Sequence, residues 1–64
     1  MLKQRILNLA PEGSEVYLNK EHVTVILGQV LSPQERSRLA AQVLGAIGDR
    51  GLTAAFPNGV KLIY

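Results

Sequence analysis

The chain has 64 residues, of which 47% are apolar, and it contains no cysteine. This length supports a single small domain over residues 1–64, and the absence of cysteine excludes disulfides, thiolate metal ligands and a thiol nucleophile. The formal charge of +2 is a small excess of bases that acidic residues interrupt throughout, whereas nucleic-acid-binding proteins usually concentrate positive charge on one face or helix.

The small size of the chain also bears on its assembly. Domains near this length have marginal cores and are commonly stabilised by disulfides, metals or oligomerisation. A single histidine, His22, is insufficient for a transition-metal site within one chain, so we expect a homodimer with no metal or cofactor. No apolar run approaches the ~20 residues of a membrane-spanning helix, and no signal-peptide pattern is present. We therefore expect a cytoplasmic protein without membrane contacts.

The first ten residues carry two competing patterns. Leu2, Ile6 and Leu9 are spaced as on one face of a helix, whereas Leu7 and Leu9 alternate with Asn8 as in a strand. We favour a strand or a short arm for this segment, with a short helix as the alternative.

The next segments predict a turn and a β-hairpin. A proline and a glycine within residues 11–14 favour a chain reversal. Two apolar runs, 16–18 and 23–27, flank the polar segment 19–22, which is suited to a hairpin turn, and the second run is dense in β-branched residues. Because both faces of the second run are largely apolar, we expect this strand to be central in the sheet or covered by a partner.

One helix is predicted from Pro33 to about Asp49. Ser32 is placed to cap it, proline suits the first helical position, and Glu35 completes a capping box. Gly51 is a suitable residue for the C-terminal cap. An apolar stripe at three- and four-residue spacing comprises Leu39, Ala40, Val43, Leu44 and Ile47.

The C-terminal segment predicts a second hairpin. In segment 52–56, Leu52, Ala54 and Phe56 share one face, and in segment 60–64 Val60, Leu62 and Tyr64 do so. Between them, Pro57-Asn58-Gly59 fits a type I turn followed by a glycine with positive φ. The predicted fold is therefore α+β, with about four antiparallel strands in two hairpins, one helix packed across one face, and the element order ββαββ.

No set of residues typical of catalysis is present. His22 beside Glu21 is the only obvious pair for acid–base catalysis, and residues adjacent in a strand point to opposite faces, so solvated turn residues are the favoured interpretation. Asp49 is the only aspartate and lies at the end of the predicted helix, away from that pair. We predict that the chain is not an enzyme.

These observations favour a small protein–protein interaction module, such as a regulator, adaptor or inhibitor, that acts as a homodimer. Its contact surface is expected on the helix, at Arg36, Arg38 and Gln42, or at an unpaired sheet edge. Arg36 and Arg38 diverge by about 200° around the helix axis, so they cannot both face one partner surface. The alternative is a nucleic-acid-binding protein that contacts phosphates through dispersed basic residues. Those residues are Lys3, Arg5, Arg36, Arg38 and Lys61.

Overall fold

Two helices lie on the same face of a three-stranded sheet. The computed structural model describes all 64 residues. Its elements are α1 (Leu2–Leu9), β1 (Glu15–Leu18), β2 (Val23–Ile26), α2 (Pro33–Asp49) and β3 (Val60–Ile63). The strand order is β1-β2-β3, with β1 antiparallel and β3 parallel to β2. The α+β class is confirmed, but the ββαββ order and the four-stranded antiparallel sheet are wrong, because the order is αββαβ in a mixed sheet.

Alternation along the strands gives the sheet a helix-covered face and an open face. Val16, Val25 and Leu62 are in register on the covered face, where α1 packs on β1 and on α2, and α2 packs on β3. The core consists of this face and the buried helix residues, among them Ile6 and Val43. The open face has no covering element and comprises Glu15, Tyr17, Thr24, Ile26, Lys61 and Ile63.

The first helix corrects the expectation of a strand or arm at residues 1–10. Of the two patterns, the helical one is correct. The helix turns Leu2 and Ile6 toward the core, where both are buried. Leu7 packs against the edge of the same core. The helix is therefore stabilised by packing on β1 and α2.

The predicted second hairpin is wrong in its first half. Residues 52–56 form consecutive turns, in which the Phe56 N–H donates to the Leu52 carbonyl at 3.2 Å. This spacing places both side chains against the core without a strand. The turn at Pro57-Asn58-Gly59 is present, with Gly59 at φ 72°, and it leads into β3. The partner of β3 is β2, so a parallel pair replaces the expected hairpin.

The predicted helix and its ends are confirmed in α2. The Ser32 Oγ accepts from the Glu35 N–H at 3.1 Å, and Glu35 Oε1 accepts from the Ser32 N–H at 3.0 Å, which completes the capping box. At the other end, Gly51 has φ 68°. Its N–H donates to Gly48, and the Leu52 N–H donates to Ile47, as in a Schellman motif.

Candidate interaction surfaces

The two outer strands of the sheet differ in how their free sides are protected. On β1, the Asn19 N–H donates to the His22 carbonyl at 3.0 Å and closes the hairpin with β2. Because antiparallel residues alternate between facing the partner and facing away, Val16 and Leu18 direct their backbone groups away from β2. These groups make no hydrogen bond to any other part of the chain. We call this side of β1 the open edge.

On the free side of β3, a side chain covers one backbone group, the Leu62 carbonyl. Gly59 and Ile63 carbonyls accept from β2, so the intervening Leu62 faces away from β2. Arg36 Nη2 donates to the Leu62 carbonyl at 3.1 Å, and the guanidinium lies 5.2 Å from the Tyr64 ring centroid. Tyr64 Oη in turn donates to the Leu31 carbonyl at 3.1 Å. We call this set of Leu31, Arg36, Leu62 and Tyr64 the β3 clamp.

A shallow groove of about 200 Å³ lies beside the open edge, where α1 meets β1. Leu7 and Val16 supply its apolar lining, and we call it the Leu7 groove. Lys3 also lines it and holds its Nζ 5.9 Å from the Tyr17 ring centroid. Tyr17 Oη donates to Glu15 Oε1 at 2.6 Å, and this hydrogen bond, with the charge of the carboxylate, raises the pKa of Tyr17 above its ordinary value.

Two of the three residues predicted to bind a partner lie together, and the third does not. Arg38 and Gln42 line a groove of about 240 Å³ between the end of α1 and the start of α2, which we call the Arg38 groove. Leu9 and Leu31 supply part of its apolar lining. Arg36 instead belongs to the β3 clamp, on the other side of the helix, as its spacing from Arg38 requires.

The basic residues of the nucleic-acid alternative are in different environments. Arg5 forms an exposed ion pair with Asp49 at 2.7 Å, which links α1 to the last turn of α2, and Arg36 is held in the β3 clamp. Lys61 is exposed on the open face, in register with Thr24 and Tyr17. The row from Tyr17 to Lys61 spans three strands, which is about 10 Å.

The polar turn between β1 and β2 has a structural role. Asn58 donates from its backbone N–H to the Glu21 carbonyl at 2.9 Å and from its side chain to the Glu21 carboxylate at 3.2 Å. The His22 ring lies 3.3 Å from Asn19 Nδ2, which also donates to Thr24. Glu21 and His22 therefore have separate partners, and no cluster of three or more His, Cys, Asp or Glu side chains is present.

The residues of the open edge were not singled out from the sequence. Leu18 is 45% exposed although it lies on the helix-covered face, and Tyr17 is also 45% exposed. An apolar residue directly before a polar turn is a weak signal, since it becomes informative only once β1 is known to be an outer strand. The β3 clamp gave no local signal, because Arg36 and Leu62 are far apart in the sequence.

The function of this chain has to be inferred from its own surfaces, because the comparisons with known proteins found no relative. Neither helix combines the length and apolar character that crossing a bilayer requires. A scan against protein-family models found no match, and searches of the curated proteins and of the solved structures found none either.

Proposed function

We propose that the chain is a small, non-enzymatic protein–protein interaction module that binds by strand addition at the open edge of β1 and acts as a homodimer. Such a module would act as a regulator, adaptor or inhibitor of another protein, which would bind at a surface that the dimer leaves exposed, and we propose a cytoplasmic location. The observation that carries the proposal is the difference between the two outer strands. The outward backbone groups of Val16 and Leu18 are all free, whereas on the equivalent side of β3 Arg36 holds the Leu62 carbonyl.

The unequal edges also support a closed assembly. When a strand edge pairs with the same edge of a second copy around a two-fold axis, one partner occupies the whole edge. Since the β3 clamp occupies the Leu62 carbonyl at the middle of the second edge, pairing of another strand there, and so growth beyond a dimer, is disfavoured. Dimerisation also suits a chain with only 11 buried residues of 64, because a core of this size gives marginal stability.

The proposal is tested by placing a lysine on the open edge. Leu18→Lys introduces a charge at a half-exposed edge position, where it opposes strand pairing. Val30→Lys is the matched control, because Val30 is 87% exposed and lies outside the sheet. Sedimentation equilibrium is expected to show concentration-dependent dimers for the native chain and for Val30→Lys, and monomers for Leu18→Lys.

Backbone hydrogen exchange provides a second readout at the same edge. The Val16 and Leu18 amides have no acceptor within the chain, so their protection should rise with protein concentration only if another strand pairs with β1. A native chain that stays monomeric at every concentration, with both amides exchanging freely, would contradict the dimer and the use of this edge in self-association.

Nucleic-acid binding is a second candidate, favoured by the row of Tyr17, Thr24 and Lys61 on the open face with Lys3 at its Tyr17 end. Single-stranded oligonucleotides stack on aromatic rings and follow basic residues. This candidate predicts a logarithmic salt dependence of about −0.7 per phosphate contact. Lys61→Ala should then weaken oligonucleotide binding without changing dimerisation, and salt-independent absence of binding would exclude it.

A further inference from the structure

We propose that the occupant of the open edge is the β1 strand of a second copy, paired antiparallel around a two-fold axis at Tyr17, with Leu18 of each copy in the Leu7 groove of the other. This inference rests on the proposed function and names its partner and register. In this register, Val16 and Leu18 of opposite copies exchange their free N–H and C=O groups. The sheets of the two copies become continuous.

Shape complementarity supports this register. Strand residues that are paired directly have their side chains on the same face, so Leu18 of one copy faces Val16 of the other on the helix-covered face. The Leu7 groove lies beside Val16 at that point, with a volume of about 200 Å³. It therefore receives a leucine that is 45% exposed in the single chain. Each copy supplies one leucine and one groove, as an isologous interface requires.

Charge supports the antiparallel direction. Glu15 begins β1 and Lys20 follows its end. Antiparallel pairing brings Glu15 of one copy toward the Lys20 end of the other, whereas parallel self-pairing would place like charges side by side. The aromatic side chains of the two Tyr17 residues meet on the open face, where they form a cross-strand pair.

Lys3 limits the strength of this contact. α1 lies on the helix-covered face and Tyr17 belongs to the open face, so the Lys3 side chain reaches the ring around the open edge. It makes no hydrogen bond to β1, and it must move aside when a strand pairs there. A standard interface buries about 800 Å² per partner, about a fifth of the 4147 Å² surface of this chain. A four-residue edge buries less, so we expect a dimer of micromolar or weaker affinity.

Single cysteines test the register, because the native chain has no thiol. Facing residues of a non-hydrogen-bonded antiparallel pair have Cα atoms about 4.5 Å apart, within the range that a disulfide spans. Tyr17→Cys should therefore form disulfide-linked dimers in a glutathione redox buffer about tenfold faster, or more, than Ile63→Cys. Ile63 is the matched control, since it lies on the open face of the clamped outer strand.

Two further variants test the Leu7 groove and the effect of the Lys3 side chain on pairing. Leu7→Ala removes part of the apolar lining of the groove and should lower the association constant of the dimer by about tenfold in sedimentation equilibrium. Lys3→Ala should strengthen it severalfold, since no side chain then has to move aside for the pairing strand. Unchanged association in Leu7→Ala, or weaker association in Lys3→Ala, would overturn the assigned contacts.

The outcomes separate this inference from the proposed function. If Leu18→Lys abolishes dimers but Tyr17→Cys links no faster than Ile63→Cys, β1 pairs in another register, and the inference fails while strand addition stands. If Leu18→Lys leaves the dimer intact, the open edge is not the contact, and both fail.

Discussion

Gly28 lies where the chain leaves β2 and passes the turn before β1. Its N–H donates to Ser14 Oγ at 3.0 Å. A Cβ atom at this position would lie 2.4 Å from the Glu12 carbonyl oxygen and 2.4 Å from the Gly13 carbonyl carbon. Because both obstacles are backbone, the crossing requires a residue without a side chain. Gly45, by contrast, has nothing within 4 Å of an added Cβ.

These two glycines predict opposite responses to the same substitution. Gly28→Ala should destabilise the fold by about 2 kcal/mol or more, since the backbone must shift. Gly45→Ala should stabilise it by about 1 kcal/mol, because alanine is the better helix former at an exposed interior position. Urea unfolding at a matched protein concentration measures both changes. If both variants changed the free energy of unfolding equally, the backbone near Gly28 would have made room for the added Cβ atom at no cost in stability.

At the level of single elements, α2 was predictable because its signals are local. Ser32, Glu35 and Gly51 act on backbone groups within one turn of themselves. α1 has no such signals: it has no side-chain cap, no acidic residue in its first turn and no basic residue in its last. An isolated helix of eight residues is marginal, so α1 depends on tertiary contacts that its own sequence does not specify.

The direction of β3 was beyond sequence analysis for a related reason. Alternation indicates which residues share a face, and Pro57-Asn58-Gly59 marks where the strand begins. Neither indicates which strand lies beside it. The Asn58–Glu21 hydrogen bonds, which join two turns distant in the sequence, fix the start of β3 beside β2.

The capping box of α2 predicts a pH-dependent contribution to stability. The hydrogen bond from the Ser32 backbone lowers the pKa of Glu35 below its ordinary value of 4.5. The unfolded chain therefore binds this proton more readily, so the contribution is present at neutral pH and is lost as the pH falls below 4.5 through the folded-state pKa.

The Ser32 side chain also lowers the pKa of Glu35 through a hydrogen bond, and Ser32→Ala tests this part of the contribution. It should cost about 1 kcal/mol at neutral pH, because a backbone N–H of the first turn loses its acceptor. The difference between this variant and the native chain should shrink in acid, as measured by urea unfolding at several pH values. Ser37→Ala, within the helix, is the control and should change stability little. If the difference in the free energy of unfolding stayed constant with pH, the Ser32 cap would stabilise the helix independently of the ionisation of Glu35.

At the scale of the whole molecule, the edges of the sheet decide how copies meet. An unpaired sheet edge was expected from the sequence as one of two contact surfaces, but which edge it is depends on strand order, which is a tertiary property. Arg36, Arg38 and Gln42 were all expected to bind a partner. In the fold, Arg36 protects β3, whereas the other two line the Arg38 groove.

Removing the β3 clamp should therefore change assembly more than stability. Arg36→Ala frees the Leu62 carbonyl and leaves both outer edges open, so strand pairing no longer closes at a dimer and should yield larger, sheet-rich oligomers. Light scattering over a concentration series measures this. Arg38→Ala removes the same charge from the same helix and should assemble like the native chain. Identical behaviour of both variants would show that Arg36 does not limit growth.

The parallel pairing of β3 with β2 also has a consequence for the order of folding. Val23 and Val60 are paired although more than half of the chain lies between them. Forming this pair therefore carries the entropic cost of closing a long loop. The β1–β2 hairpin and α2 close far shorter loops. The side of β2 that receives β3 is thus still exposed after the hairpin and α2 have formed, and pulse-labelled exchange of the Val23 and Leu27 amides, which donate to the Gly59 and Ile63 carbonyls, would time its closure. In that interval the chain is open to misassembly, because its most apolar strand has only one neighbour.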